Sequence, residues 1–536
     1  MSIAESRWDF LWRHCRAPLA LLIVLLPLTR GAIRSFPLYD DAGFQLIVKE
    51  NGVNSVRAAL TNRPVFGWLF QKAILSPYYQ LGGFVLQFVG WALFGMVTMW
   101  LWNKLFPELR RYAPLAACLA VAPILVKSQM ETWLFVLPVN LAVIPAYAAG
   151  LILWRYVEEN NHLGYLMLGL SALMTFAGAM LSEYAFLATI ASSFFLISLA
   201  WPADKARRIR IVQSVGALAI SALIAHFLFA RIADAHPTYG TVSFAPPVSE
   251  IILHLPTYLA RVLRAFWHAT VGAYGQALAA AAGQSARENI SPGTILYPLA
   301  VGCILMFVCW PGKGEQGSPG KATVGIFSWG RAAAFALALA ATLAPAYLFR
   351  PVLMGRDLHL EELGTRVYFV AAPLAVALTL RMLLAILRHR YWFVLPLALG
   401  FLAGDAVLKE VSATASAIHT MKQIGPVLEP YVKANPDLTV VLTADYYARD
   451  VEVTYRASAS WPADLSRRLL ILWDGRLPTV MPGHHAIRGE GCAQITSVNR
   501  NMDTIIRRGK IGQLLWLQPT PSGGFAVEPY CITGGN

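Results

Sequence analysis

Residues 202–210 read PADKARRIR, wedged between two apolar runs centred near residues 193 and 220. Four cations in nine residues, flanked on both sides by segments that hydrocarbon would accept, are the mark of a cytoplasmic loop joining two membrane spans. The same pattern recurs along the chain. A span needs about 20 mostly apolar residues, and scanning gives about eleven, centred near residues 25, 92, 120, 143, 173, 193, 220, 302, 340, 377 and 400.

Composition agrees. The 536 residues are 57% hydrophobic and only 14% charged, with a mean hydropathy of +0.52. A soluble chain would carry about 25% charged residues. The net charge of +14 does not mark a nucleic-acid binder, because Lys and Arg lie mostly in short loops rather than in an aromatic-interleaved patch. Arg7, Arg13 and Arg16 precede an apolar run over 17–28 with no small-residue cleavage site after it, so this stretch reads as a retained first span.

With the N-terminus in the cytoplasm, the loops NKLFPELRRY, RYVEENN, PADKARRIR, PGKGEQGSPGK and RHR fall inside. Lys and Arg are then about twofold denser inside than outside. Eleven spans leave the C-terminus outside. Three outward loops are long: 30–80, 231–291 and 350–366. The second contains LPTYLARVLRAFWHATVGAY, which reads as an interfacial helix or as a twelfth span, and a twelfth would return the C-terminus to the cytoplasm. From residue 409 the charge rises and β-type runs appear (LTVVLTA, VEVTY, RLLILWD) after a helical stretch VSATASAIHTMKQIGPVLEPYV. The expected organisation is therefore a polytopic α-helical membrane domain over 1–408 and a small α/β extracytoplasmic domain over 409–536. Cys492 and Cys531 both lie in the second part and make a disulfide there if it is outside the cytosol; in a cytosolic domain they stay free thiols. Cys15, Cys118, Cys303 and Cys309 read as plain apolar residues in or beside spans.

The chemistry-bearing residues collect on the outer side. Asp40 and Asp41, in SFPLYDDAGFQLIVKENG, follow the first span at once, where a carboxylate is costly to keep near lipid. One can take a proton from a hydroxyl nucleophile while the other orients it or holds a cation. Asp40 is equally suited to cap a helix starting at Asp41, a role that covers only one of the two. Tyr39 sits beside them as a substrate contact. Arg63, before Pro64, can grip a phosphate or carboxylate, or snorkel at the interface. Glu183, in MLSEYAF, occupies a tight outer turn next to Tyr184, as a functional acid or a plain loop carboxylate. Glu131 occupies a similar turn, with Lys127 available as a surface partner. The third loop supplies Arg350, Arg356, His359 and Arg366, either for charge-assisted bonds to a lipid phosphate or for internal pairs with Asp357, Glu361 and Glu362. No G-x-x-x-x-G-K-[ST] motif, dinucleotide fingerprint or zinc-type His/Cys spacing occurs. Few charges lie inside the spans, which disfavours an ion-coupled transporter.

An acidic site in the first outer loop (Asp40-Asp41), the following Arg63-Pro64, an acid at a later outer turn (Glu183), an Arg-Tyr span entrance (Arg366, Tyr368) and a C-terminal outer domain together resemble the GT-C superfamily. Its members include protein mannosyltransferases, lipid A aminoarabinose transferases, mycobacterial arabinosyltransferases and O-antigen glucosyltransferases. The resemblance implies transfer of a sugar from a polyprenyl-phosphate carrier to a hydroxyl of a glycan, lipid or protein acceptor, on the periplasmic face of a bacterial inner membrane. It implies a first-loop Asp as base and Arg63, Arg350, Arg356, Arg366 and His359 on the donor phosphate, with Tyr39, Glu131, Tyr184 and Tyr368 contacting substrate. The chain lacks the WWDYG-type signature of oligosaccharyltransferases. The sequence names no definite cofactor; Asp40 and Asp41 are two candidate ligands for a divalent cation. An outward site also argues independently for a lipid-linked donor, since nucleotide sugars and ATP are made in the cytoplasm. Two other readings stay open: an O-antigen-type polymerase or ligase relying on Arg350, Arg356 and His359, and a lipid or polysaccharide transporter.

Overall fold

The computed structural model describes residues 15, 18–27, 65, 68, 79–124, 133–158, 163–182, 184–198, 204–234, 247–285, 292–310, 329–347, 360–387, 393–434, 439–442, 479–481, 514–520 and 524–530. Among them, helices dominate. They are a segment over 18–25, α1 Tyr79–Leu105, α2 Ala113–Val121, α3 Trp133–Glu158, α4 Gly164–Leu181, α5 Tyr184–Ile197 and α6 Lys205–Asp234. Then come α7 Val248–Leu253, α8 Leu255–Trp267, a π turn at His268–Gly272, α9 Ala273–Ser285, α10 Pro292–Val308, α11 Trp329–Leu343, α12 Leu360–Ile386 and α13 Val394–Ala434.

Each expected span centre lies in a helix. Four helical stretches among the described residues are long and apolar enough to cross a membrane: Leu141–Glu158, Gly164–Leu181, Lys205–Leu228 and Val367–Ile386. The chain is thus a helical membrane protein at this level. Tyr184–Ile197, Ile295–Val308 and Ala333–Leu343 are apolar but shorter. The helix at 120 departs most from a full span. Its nine residues rise only about 13 Å, against a hydrocarbon core of about 30 Å. The cause is local. Pro123 pushes the residue before it out of helical geometry, and Ala122 is extended at φ −67, ψ 138. All nine residues of α2 are buried, so it serves as an internal packing piece rather than a lipid-facing crossing.

Helix α12 is the most enclosed of the four crossing stretches, whereas α4 and α6 leave most of their surface open. Ala371, Ala372, Ala375 and Ala377 let neighbours approach α12 closely. Trp91 and Phe94 of α1 close on Phe369: Trp91 meets it edge-on at 4.9 Å and Phe94 stacks at 4.4 Å. Tyr147 of α3 donates to the Val370 carbonyl at 2.6 Å. That bond braces α12 just before Pro373, which removes a backbone donor from the helix interior.

Close contact also sets the other pairs. At Gly178 of α4 an added Cβ would lie 2.7 Å from the Ala142 carbonyl oxygen of α3, and at Gly302 of α10 one would lie 2.6 Å from that of Leu397 in α13. Helix α13 has 41 residues, about 60 Å at 1.5 Å per residue. It continues unbroken through 408–409, with Lys409 bridging Asp405 at 2.6 Å, and it includes the expected helical stretch before the strands.

Four strands follow: β1 Thr439–Leu442, β2 Thr479–Met481, β3 Leu514–Pro519 and β4 Phe525–Tyr530, in the order β2-β1-β3-β4. β1 pairs parallel with both β2 and β3, and β3 pairs antiparallel with β4. Thr520 closes the β3–β4 hairpin, its N–H donating to the Gly524 carbonyl and its hydroxyl accepting from Gly524 N–H. β1 falls within LTVVLTA, while VEVTY and RLLILWD lie outside the described residues.

Candidate functional site

The bundle has two distinguishable ends. One gathers the end of α4 and start of α5 (Gly178 against Ala142 and Ala185) with the start of α12 and the turn after α11. The opposite end gathers 102–112, 155–158, 205–213 and Arg381. There, Lys104 bridges Glu158 at 3.1 Å, Tyr156 donates to Gln213 at 2.8 Å, and the Arg381 guanidinium lies 5.9 Å from the Phe106 ring. Arg111 donates to the Tyr112 hydroxyl at 3.1 Å. Burial pushes that hydroxyl above its usual range, and the Arg111 charge pulls the other way.

The first end carries the candidate site, centred on Tyr368. Its hydroxyl shares a hydrogen bond with that of Tyr347, and the Arg264 guanidinium is near enough to act on it through space. The His268 ring lies 5.1 Å from the Tyr368 ring. Three separate chain segments therefore meet: α8 with its π turn, the 344–347 turn and α12. Arg264 and His268 are four residues apart, so they share a helical face. Two further bonds fix that face. Tyr258 donates to the Ala344 carbonyl at 3.3 Å, and Thr379 of α12 donates to the Thr270 carbonyl of the π turn at 2.8 Å. The wider π turn leaves a carbonyl accessible to such a side chain, and this kind of turn is frequent at functional sites. It also shows that 255–285 is no purely interfacial element: it packs against the middle of α12.

Guanidinium, imidazole and two phenolic hydroxyls can all donate to an anionic oxygen. Among the described residues, no group of three or more His, Cys, Asp and Glu is placed to hold a metal ion.

Most residues singled out in the sequence lie outside the described ones: Tyr39, Asp40, Asp41, Arg63, Glu131, Glu183, Arg350, Arg356, His359, Cys492 and Cys531. Arg366 lies on α12, nearly two helical turns into it, with its side chain outside the described set. Two are described in full. Tyr368 is at the cluster's centre. Tyr184 is 7% exposed, packed in the core where α5 begins. The turn before it is tight: Ala185 N–H donates to the Ser182 carbonyl at 3.1 Å. Tyr297 donates to the carbonyls of Ile23 and Val24 at 3.0 and 3.1 Å, anchoring the segment from which the Asp40-Asp41 loop departs.

Sequence reasoning missed His268, Arg264, Tyr347 and Tyr258. The available signal was a set of polar residues at three- and four-residue spacing (Tyr258, Arg261, Arg264, His268) inside LPTYLARVLRAFWHATVGAY, opposite the leucines. It also missed Arg381, a buried cation inside a crossing helix. Comparison of the chain with family models, curated proteins and solved structures gives no match.

Proposed function

We propose that this chain is a membrane glycosyltransferase of the GT-C kind, with about eleven spans and a C-terminal α/β domain outside the cytoplasm. It moves a sugar from a polyprenyl-phosphate carrier to an acceptor hydroxyl on the periplasmic face of a bacterial inner membrane. The acceptor oxygen bonds to the anomeric carbon as the bond from that carbon to the phosphate oxygen breaks. The hydroxyl proton passes to Asp40 or Asp41, and the carrier leaves as polyprenyl phosphate. Such a reaction passes through an oxocarbenium-like state and needs a base on one side and positive charge on the departing phosphate on the other.

The observation that carries this reading is the Tyr368–Tyr347–His268–Arg264 cluster. It supplies anion-binding groups at the bundle end opposite the basic one, two residues from Arg366 in the same helix. Positive charge collects on cytoplasmic loops, so the cluster's end is assigned to the outside, shared with the loops holding Asp40, Arg63 and Glu183. Arg350, Arg356 and His359 join Arg63 and Arg366 on the phosphate.

A polymerase or ligase acting on lipid-linked sugars is the second reading, favoured by one feature. Tyr347 and Tyr368 flank the 348–367 segment and hydrogen-bond to each other, so the ends of the loop carrying Arg350, Arg356 and His359 meet. The two readings separate by mutation. Asp40→Asn or Asp41→Asn should abolish transfer in a protein that still purifies as a folded species. Full activity in both variants, with loss in Arg356→Gln, would move the chemistry to the third loop.

A further inference from the structure

We propose that the basic end of the bundle bears a docking surface for the headgroup of an anionic phospholipid, built where α6 begins beside the end of α3. Lys205, Arg207, Arg208 and Arg210 occupy the first two turns of α6. The acidic groups described nearby are already engaged: an Asp204 carboxylate oxygen accepts the Arg207 backbone N–H at 2.7 Å, and Glu158 is held by Lys104 at 3.1 Å. The Nε of Arg207 is buried with no hydrogen-bond partner. These cations also stand at the helix end where the backbone dipole disfavours them, so helix stability does not account for them.

What lies beside them selects the partner. Arg208 heads a stripe on α6 that continues through Val212, 70% exposed, to Leu223 and Phe227, 54% and 67% exposed. The spacings of four, eleven and four residues keep these on one helical face. Helix α4 packs against α6 and starts at the same end, adding exposed Leu166 and Leu173. Cations above an open apolar wall match a phospholipid, whose anionic phosphate sits over its hydrocarbon. A free phosphate or a nucleic acid would use the cations and leave the wall bare. The Arg110–Arg111 turn at the same end also carries two arginines but belongs to a segment packed on the buried α2, so neutralising that pair removes the same charge and serves as a control. This surface is independent of the glycosyltransferase reading.

The test is native mass spectrometry of the full-length protein titrated with phosphatidylglycerol or with phosphatidylcholine of the same chain length. Wild type should bind phosphatidylglycerol more tightly. The R207Q/R208Q variant should bind it about thirty-fold more weakly, from two charges near a membrane surface, with phosphatidylcholine binding unchanged. Should that variant not fold, Arg208→Gln alone should weaken binding about five-fold. The R110Q/R111Q control should match wild type. Equal affinity of wild type for both lipids, undiminished phosphatidylglycerol binding in the variants, an equal loss in the control, or equally tight binding of inorganic phosphate or a short oligonucleotide would each overturn the proposal.

Discussion

At one end of the bundle, Lys104 meets Glu158 with side chains 30% and 37% exposed, and a row of cations opens α6. At the other, Tyr368 meets both Tyr347 and His268, and the segments around them are tied by Tyr258 donating to the Ala344 carbonyl and Thr379 to that of Thr270. The first arrangement is charge on a surface, which tolerates rearrangement and is screened by salt. The second is aromatic packing with directional hydrogen bonds, which holds groups in fixed places. A protein that must only be oriented in its membrane needs the first kind. A protein that must position a substrate needs the second.

The contrast can be broken by mutation. Tyr368→Ala removes ring contacts and a hydroxyl together; truncating a fully buried aromatic costs about 3 kcal/mol, and half-buried Tyr368 should lose somewhat less. Thermal unfolding in detergent should fall markedly and activity with it. Tyr368→Phe should recover most of the stability, because the lost hydrogen bond is worth about 1 kcal/mol, yet should leave activity low if the hydroxyl contacts substrate. Activity at the wild-type level in the Phe variant would leave Tyr368 a packing residue.

Thr379→Val tests the π turn. An interhelical hydrogen bond in a membrane protein contributes about 0.6 kcal/mol, so the melting temperature should drop slightly. The lost anchor shifts His268, and KM for the lipid-linked donor should rise by more than that figure accounts for. An unchanged KM would detach the π turn from the site. Lys104→Met at the opposite end should have the smallest effect, about 0.3 kcal/mol for an exposed pair, with activity intact. A large activity loss there would erase the distinction between the two ends.

Much of the fold is legible in the sequence, because a run of apolar residues bounded by cations is both the cause of a crossing helix and its written signature. Helix α12 illustrates this, whereas 205–210, read from its cations as part of a loop, already forms the first turns of α6. Lengths are less legible. The half-length α2 depends on one residue, Pro123, whose effect on Ala122 a window average over 20 residues hides. The site was half visible. Tyr368 stands out at a span entrance, but His268 joins it only through a contact between positions 100 residues apart, created by the docking of 255–285 against Thr379. Hydropathy reads that segment as interfacial because its leucines face outward. On its polar face Tyr258 finds its partner, the Ala344 carbonyl, far away in sequence. Arg381 escaped for a related reason: one cation inside an apolar helix barely alters the helix's average, although it lies over Phe106.

The most direct test of the central claim follows both ends of one reaction with the purified protein. Reconstituted protein is supplied with the lipid-linked sugar fraction and an envelope acceptor preparation from its own cells, and carrier and acceptor are analysed by mass spectrometry. The account predicts that free polyprenyl phosphate appears in step with a new sugar–oxygen bond on the acceptor, and that neither appears with Asp40→Asn and Asp41→Asn combined. Lipid-linked sugar that crosses the membrane intact, with its carrier still attached and the acceptor unchanged, would contradict it.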